Sequence, residues 1–377
     1  MLETLSEIFG SASHIQRAGS VSGRKANMQT NDDILNLLRE KGAEAARKMQ
    51  RGLILQPGAI GDCISTLPLA EFMKDSLQLG GIDILGHTEY LGIFPGRSCV
   101  DSIRSIDSLD LHRLFTETKS FDLADGDALI NAFADYTWIV TFLGEPDSDF
   151  EQNLIYTANC SHSAEVITLS LTPQKDFSGH LTEFYTQQFA EQSGLSLQTR
   201  RVRLGDCLIK ATKADINRGE ELLREISIEP SEKLVVIQPG SGGADKCWHL
   251  DNFLALAKEL SSKGIEVIFL LGPAESDRFT DAIIKNISSV AKYLTDLSLT
   301  EVLRLLSCAN GFVGNDSGIT HLAAGLGVRT LAVFGPTNPA VYRPIGPAVT
   351  VFVNSTTAFA KKPSVSLQRE LLAVLTS

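Results

Sequence analysis

From residue 234 onward, short apolar runs alternate with stretches of helical spacing, and few architectures accept that rhythm. LVVIQ (234–238), IEVIFLLG (265–272), GFVGN (311–315) and VRTLAVFG (328–335) have buried-strand length and almost no polar interruption. Between them, DNFLALAKELSSKG carries apolar residues at helical spacing and ends at Gly264. TEVLRLLSCA opens on the capping box Ser298-Leu299-Thr300-Glu301, and a further helix is expected from about Ser317 to Leu326. Strands that are apolar along their whole length and separated by helices belong to a parallel sheet covered on both faces.

The first half repeats the rhythm less cleanly. LIL (53–55) reads as a strand, PGAIGD as a turn and ISTLPLAEFMKDSL as an amphipathic helix, in which Pro68 must occupy the first turn or kink the axis. IDIL (82–85), DSIRSI (101–106) and WIVTFLG (138–144) are further strands. Residues 181–193 and 214–226 are helical, the former ending at Gly194. Within 110–165 the pattern is weak, and LADGDALINAFAD reads equally as helix or loop. A chain of 377 residues exceeds the roughly 150 typical of one domain. The reading is two similar α/β domains, preceded by an extension over 1–50 with a loose leader (1–30) and one helix (32–49).

Charge and cysteine content narrow the function classes. Lys plus Arg is 34 against 45 Asp plus Glu, a net charge of −11, which disfavours nucleic-acid partners. Residues 1–199 hold 14 basic and 27 acidic residues, whereas 200–377 hold 20 and 18, so the second half is the better host for an anionic ligand. The six cysteines form no CxxC pair, which points to reduced thiols and no metal site. No stretch approaches 18 apolar residues, and the N-terminus carries acids where a signal peptide is basic. A cytoplasmic protein is expected, with at most peripheral contact at the inner face of the cytoplasmic membrane.

In open parallel sheets ligands bind beyond the carboxyl ends of the strands, so the loops there are the candidates. The first, Gln56 to Asp62, has Gly58 and Gly61 clearing space; Asp62 is either a helix cap or a general base facing a cleft. The second, Gly240 to Lys246, joins glycines, the Ser241 hydroxyl and a lysine, a set suited to phosphate, although neither GxxxxGK[ST] nor GxGxxG is present. The third, GNDSGITH, places Asp316, Ser317, Gly318 and Ile319 at a helix start, where unpaired N–H groups and about half a positive charge can hold a diphosphate. His321, one turn on, reads as a core histidine. The fourth, Gly272 to Glu275, offers a carboxylate for ribose hydroxyls or for its own helix end, and the fifth, Phe334 to Pro339, a rigid wall. Each residue has an ordinary capping role available; their convergence on one end of one sheet is what caps alone do not require.

The stretches GAIGDCISTLPL, QPGSGGADKCW, LLGPAE, GNDSGITHLAAGLGVRTLAVFGPTNP and YRPIG resemble, in order and approximate spacing, glycosyltransferase family 9, the ADP-heptose:lipopolysaccharide heptosyltransferase-like proteins. The resemblance implies the GT-B fold, two Rossmann-like, doubly wound parallel-sheet domains facing across a cleft. It implies an acceptor-binding domain over 51–212 and a nucleotide-sugar-binding domain over 213–377, with a final helix (367–375) crossing back to the first. It further implies an inverting, metal-independent transfer of a heptose-like sugar from an ADP-sugar to a glycan or glycolipid hydroxyl, with no cofactor beyond the donor. By the same resemblance, Asp62 is the base, Lys246 and Ser241 hold the donor phosphates, and the N–H groups of Ser317, Gly318 and Ile319 bind the diphosphate. Asp316 orients the sugar or its loop, and Glu275 holds the ribose. His321 matches the motif without an assigned role.

Two positions depart from that pattern: Gln56 and Cys247 stand where basic residues are usual. The acidic first half also suits an anionic lipopolysaccharide core poorly. Alternative readings are therefore a catalytically silent nucleotide-sugar-binding protein, and a transferase using another NDP-sugar and a different acceptor. A non-hydrolysing epimerase has no feature in its favour, and a nicotinamide dehydrogenase lacks its glycine fingerprint.

Overall fold

In the first sheet, β1 (Arg51–Gln56) forms the middle strand, flanked by β2 (Gly81–Gly86) and β4 (Trp138–Thr141), with β3 (Ser102–Ser105) and β5 (Glu165–Thr168) at the edges. The second sheet has β6 (Leu234–Gln238) between β9 (Gly311–Asn315) and β7 (Glu266–Leu271), with β8 (Lys292–Thr295) outside β7. Beyond β9 lie β10 (Arg329–Phe334) and β11 (Val349–Val353). This computed structural model describes residues 50–196, 205–230, 232–353, 359 and 365–376; the expected leader and the helix at 32–49 lie outside them. The described residues belong to one compact unit, residues 47–377.

All described strand pairs are parallel. The orders β3-β2-β1-β4-β5 and β11-β10-β9-β6-β7-β8 are both doubly wound, with the order reversing beside β1 and β6. That reversal opens a crevice at the strand ends, between β1 and β4 and between β6 and β9.

Burial explains why these residues make strands. Every residue of β6 and β9 is buried, so each strand is apolar on both faces. One apolar cluster runs from Ile54 and Ile84 of the first sheet to Val236 and Phe312 of the second, joining the two sheets through a shared core. The outer face of each sheet is closed by its own cluster, around Phe133 and Phe150 for the first and Phe253 and Phe269 for the second.

The helices Leu181–Ser193, Lys213–Glu225, Leu250–Ser262 and Leu299–Ser307 fall where the periodicity predicts them, the last with its Ser298–Glu301 capping box formed. Gly194 and Gly264 adopt φ of 69° and 74°, the left-handed region expected where glycine ends a helix. Pro68 sits in the interior of the helix Ile60–Ser76, not in its first turn. The segment 110–165 resolves into single helical turns, the helices Ala128–Phe133 and Asp149–Ala158, and β4 and β5.

The last helix departs from expectation. Val365–Thr376 does not cross back to the first domain but packs on the helix Leu250–Ser262 of the second. Leu371 is fully buried beside Val313 and Leu331, and Arg329 donates to the Val374 carbonyl at 3.0 Å. Burying one such leucine is worth about 1.5–3 kcal/mol, which holds the helix on its own sheet. No helix among the described residues is long and apolar enough to cross a membrane.

Candidate functional site

The first wall of the crevice is set by Gln56, fully buried at the end of β1. Its Oε1 accepts from the Gly58 N–H at 2.8 Å and its Nε2 donates to Thr66 Oγ1 at 2.7 Å, which folds the turn back on the helix. A Cβ at Gly58 would lie 2.8 Å from both Gln56 Oε1 and Asp62 Oδ2, so only glycine fits there. The helix begins at Ile60 with Ala59 as its cap. Asp62 is therefore not the cap: it is the third helical residue, and its carboxylate accepts from the Ala59 N–H at 3.1 Å. Burial pushes the Asp62 carboxyl above its ordinary value; the Ala59 N–H and the Lys246 cation pull it down, and Asp316 pushes it up.

The second wall is knitted together by backbone groups. Ser241 Oγ donates to the Asp316 carbonyl at 2.6 Å, and Lys246 Nζ lies 3.0 Å from Asp316 Oδ2. Asn315, fully buried at the end of β9, donates to the Pro239 carbonyl at 2.7 Å and accepts from the Trp248 N–H at 2.8 Å. Arg278 grips the glycine loop from outside, donating to the carbonyls of Ser241 and Gly242 at 2.8 and 2.6 Å. Ser317 caps the helix Gly318–Gly325 and donates to Gln238 Oε1 at 2.8 Å. Gly318 and Ile319 open that helix, where backbone N–H groups have no acceptor within the helix.

Glu275 lies deeper, 1% exposed. Its Oε2 accepts from the Gly272 N–H at 2.9 Å, and its Oε1 is buried against Gly240 without a well-directed hydrogen bond. Burial raises this carboxyl too. A side chain at position 240 would collide with the carboxylate, so the glycine is required by the close approach. In the fifth loop, Asn338 caps the short helix Pro339–Tyr342.

The two walls meet. A Cβ at Gly318 would lie 2.6 Å from that of Ile60, and Gly61 faces His321. The helices Ile60–Ser76 and Gly318–Gly325 thus abut at their N-termini. His321 is buried at this junction; burial drives its pKa down, His180 and Lys246 act the same way, and Asp316 opposes them, so the imidazole is neutral at neutral pH. The structure brings Asp62, Ser241, Lys246, Asp316, Ser317, Gly318 and His321 to one junction, with Glu275 behind Gly240.

Sequence reasoning passed over several residues that build this place. Gln238, Asn315 and Arg278 hold the loops in position, as does Gln56, which the sequence marked only as a departure from the family pattern. His180 caps the helix Leu181–Ser193 through Nδ1, which accepts from the Thr182 N–H, and its Nε2 lies 2.7 Å from the Arg343 carbonyl of the second domain. With Nδ1 accepting, Nε2 carries the proton and donates across the crevice. A histidine directly before a helical stretch was the signal the sequence offered for it.

Several known proteins are similar to this chain. The family described as glycosyltransferase family 9 (heptosyltransferase) matches residues 157–371. The lipopolysaccharide heptosyltransferase 3 of Escherichia coli is 29% identical over 119 residues, 30% of this chain and 34% of that protein. The lipopolysaccharide heptosyltransferase 1 of Pseudomonas aeruginosa is 32% identical over 111 residues, 29% and 31% of the two chains. The chain thus spans about a third of the length of these curated relatives. Among solved structures, the E. coli ADP-heptose heptosyltransferase II superposes with a TM-score of 0.64 at 16% identity, covering 87% of this chain and 99% of that one. The E. coli heptosyltransferase WaaC with ADP gives 0.60 at 17%, covering 86% and 100%. At such identity these likenesses establish the fold, which is GT-B. The match of the family as a whole runs from the helix before β5 to the last helix, more than half of the sequence, and so the chain belongs to glycosyltransferase family 9.

Proposed function

We propose that the protein moves a heptose-like sugar from an ADP-sugar to a hydroxyl of a glycan or glycolipid acceptor, inverting the anomeric carbon and using no metal ion. One observation carries this reading: the helix that holds Asp62 abuts, at Ile60 and Gly61, the helix that follows Asp316, so the Asp62 carboxylate of one domain shares a crevice with the Lys246–Asp316 pair of the other.

The step follows from that arrangement. The acceptor oxygen attacks the anomeric carbon from the side opposite the diphosphate, and its proton passes to Asp62. The bond from that carbon to the phosphate oxygen breaks, and its electron pair leaves with ADP. A carboxylate whose proton affinity is raised by burial is a better base than one in water. Lys246, the Ser241 hydroxyl and the N–H groups of Ser317, Gly318 and Ile319 receive the growing negative charge on the diphosphate. Those donors supply the charge stabilisation that a divalent cation supplies elsewhere. Glu275 Oε1, buried and lacking a well-directed partner, suits a ribose hydroxyl, and Asp316 orients the sugar while holding Lys246.

ADP bound to the E. coli heptosyltransferase WaaC, and ADP-2-deoxy-2-fluoro heptose bound to it in a second structure, support the choice of donor. Gln56 does not weaken this reading, because it acts as a scaffold for the Gly58 turn. This reading puts the protein in the cytoplasm, with at most peripheral contact at the inner membrane face. Thermal unfolding with ADP, GDP and UDP, followed by ADP release from ADP-heptose with wild type and Asp62→Asn, tests the proposal. Stabilisation selective for ADP and loss of transfer in the variant are expected, and a chelator leaves the rate unchanged. Transfer within a few-fold of wild type in Asp62→Asn removes the base assignment. Binding of ADP-heptose with no ADP release under any acceptor makes the protein a silent binder.

A further inference from the structure

We infer that the cavity between the loop 169–180 and the helix Leu181–Ser193 is the acceptor subsite, and that it takes an uncharged, hydroxyl-rich glycan and not a phosphorylated or carboxylated one. The inference rests on the reading of Asp62 as the base of a glycosyl transfer.

Position comes first. The loop leaves the carboxyl end of β5, the same end of the first sheet from which the Asp62 turn leaves β1. At its start, the Leu171 carbonyl accepts from Tyr185 Oη at 3.0 Å, and Tyr185 belongs to the helix Leu181–Ser193, which packs on the Asp62 helix Ile60–Ser76. At its end, His180 donates to the Arg343 carbonyl on the other domain. The loop therefore runs from a helix packed on that of the base to the opposite wall of the crevice. The cavity beside it has a volume of about 560 Å³, within the range of small-molecule sites.

The lining has the chemistry of sugar recognition. Thr172 and Ser178 supply hydroxyls and Gln174 an amide, groups that both donate and accept, as a sugar hydroxyl does. The half-buried rings of Phe177 and Phe184, centroids 5.2 Å apart, offer apolar faces for the C–H side of a pyranose. A phosphate asks for donors and cations instead. The ionisable side chains lining the cavity are Asp176 and Glu191, both acids.

Charge in the surrounding domain points the same way. Residues 50–196 contain 7 lysines and arginines against 21 aspartates and glutamates. Five of those cations are engaged elsewhere: Arg51 with Asp83, Lys74 with Asp101, Arg97 with Asp215, Arg113 with Asp127, and Arg104 with the Ala132 carbonyl. Lys175 is exposed at the loop tip and does not line the cavity. An anionic acceptor approaching this wall meets a negative potential with little to offset it, whereas a neutral one meets none.

The test uses the full-length protein with ADP, retained on an array of neutral glycans and of their phosphorylated or carboxylated counterparts. Retention on neutral glycans is expected. It falls at least tenfold in Gln174→Ala and in Phe177→Ala and is unchanged in Lys175→Ala. The double variant Asp176→Lys, Glu191→Lys gains retention on the phosphorylated members. Retention confined to anionic glycans, absence of retention on neutral ones while ADP binds, or undiminished retention in both alanine variants overturns the inference. Calorimetry with ADP alone separates the two levels: no ADP binding by the wild-type chain removes the transferase reading itself.

Discussion

Lys246 Nζ lies 3.0 Å from Asp316 Oδ2, so the cation of the loop after β6 is aimed by the carboxylate of the loop after β9. A pair whose lysine is more than a third exposed adds little to stability. Its value lies in where it places the charge. Lys246→Ala is expected to lower the rate of ADP release by about 10²–10³-fold, the effect of removing one donor from a developing oxyanion. Its thermal midpoint without ligand should stay close to that of wild type. Single-turnover kinetics at saturating donor read the first outcome and calorimetric unfolding the second.

Asp62→Asn removes the proposed base while keeping the side-chain oxygen that accepts from Ala59. A loss of about 10²–10⁴-fold in kcat is expected, with ADP affinity unchanged. Because burial disfavours the Asp62 carboxylate, its charge costs the fold stability at neutral pH. A group raised in the folded state stabilises fully below its unfolded value and loses that contribution as pH rises through its folded value. The asparagine variant should therefore unfold at the same temperature as wild type at low pH and at a higher one at pH 7.

The pH dependence of kcat/KM identifies the base by its neighbours. The acid limb is expected above the ordinary aspartate value of 3.8, since burial dominates the shift. Lys246 lowers the Asp62 pKa and Asp316 raises it. The limb should move up in Lys246→Ala and down in Asp316→Asn. Shifts of the opposite sign would assign the limb to another group.

Arg97 reaches from the first domain to Asp215 on the helix Lys213–Glu225, with two bonds of 2.7 Å to a carboxylate that is 1% exposed. That pairing, helped by Thr212, holds the Asp215 carboxyl far below its ordinary value. Its contribution is complete above the unfolded value of 3.8 and is lost as pH falls through the folded one. Arg97→Ala leaves Asp215 with Thr212 and with Arg304 at 3.4 Å. A loss of about 3 kcal/mol at pH 7 is expected, the low end for a broken buried pair. Urea unfolding at pH 7 and at pH 3 checks it, with the gap between variant and wild type narrower at the lower pH.

The second sheet was legible because its central strands are buried on both faces, which writes them as unbroken apolar runs. The strands passed over, β5, β8 and β11, are edge strands; Glu165, Lys292 and Tyr293 face solvent, so no such run forms. The convergence of Ser241, Lys246, Asp316 and Ser317 followed from one rule about strand ends. The residues that position them did not. Asn315 bonds to groups 67 and 76 residues away, and His180 to one 163 away, and no local pattern carries such distances. Asp62 shows the limit from the other side: its helix starts two residues before it, a shift small in sequence that changes its role from cap to first-turn carboxylate.

The contact of Ile60 with Gly318 sets two like poles against each other. Each helix end carries about half a positive charge. One is met by the carboxylate of Asp62, which belongs to its own first turn. The other begins beside the Asp316 carboxylate, which also pairs with Lys246. An anion seated between the two helix ends eases the repulsion of their like poles, and a diphosphate there makes bonds to both halves at once. Under the proposed function the nucleotide is a mortar for the two domains: inorganic pyrophosphate alone, with no base or sugar attached, should tighten the whole chain.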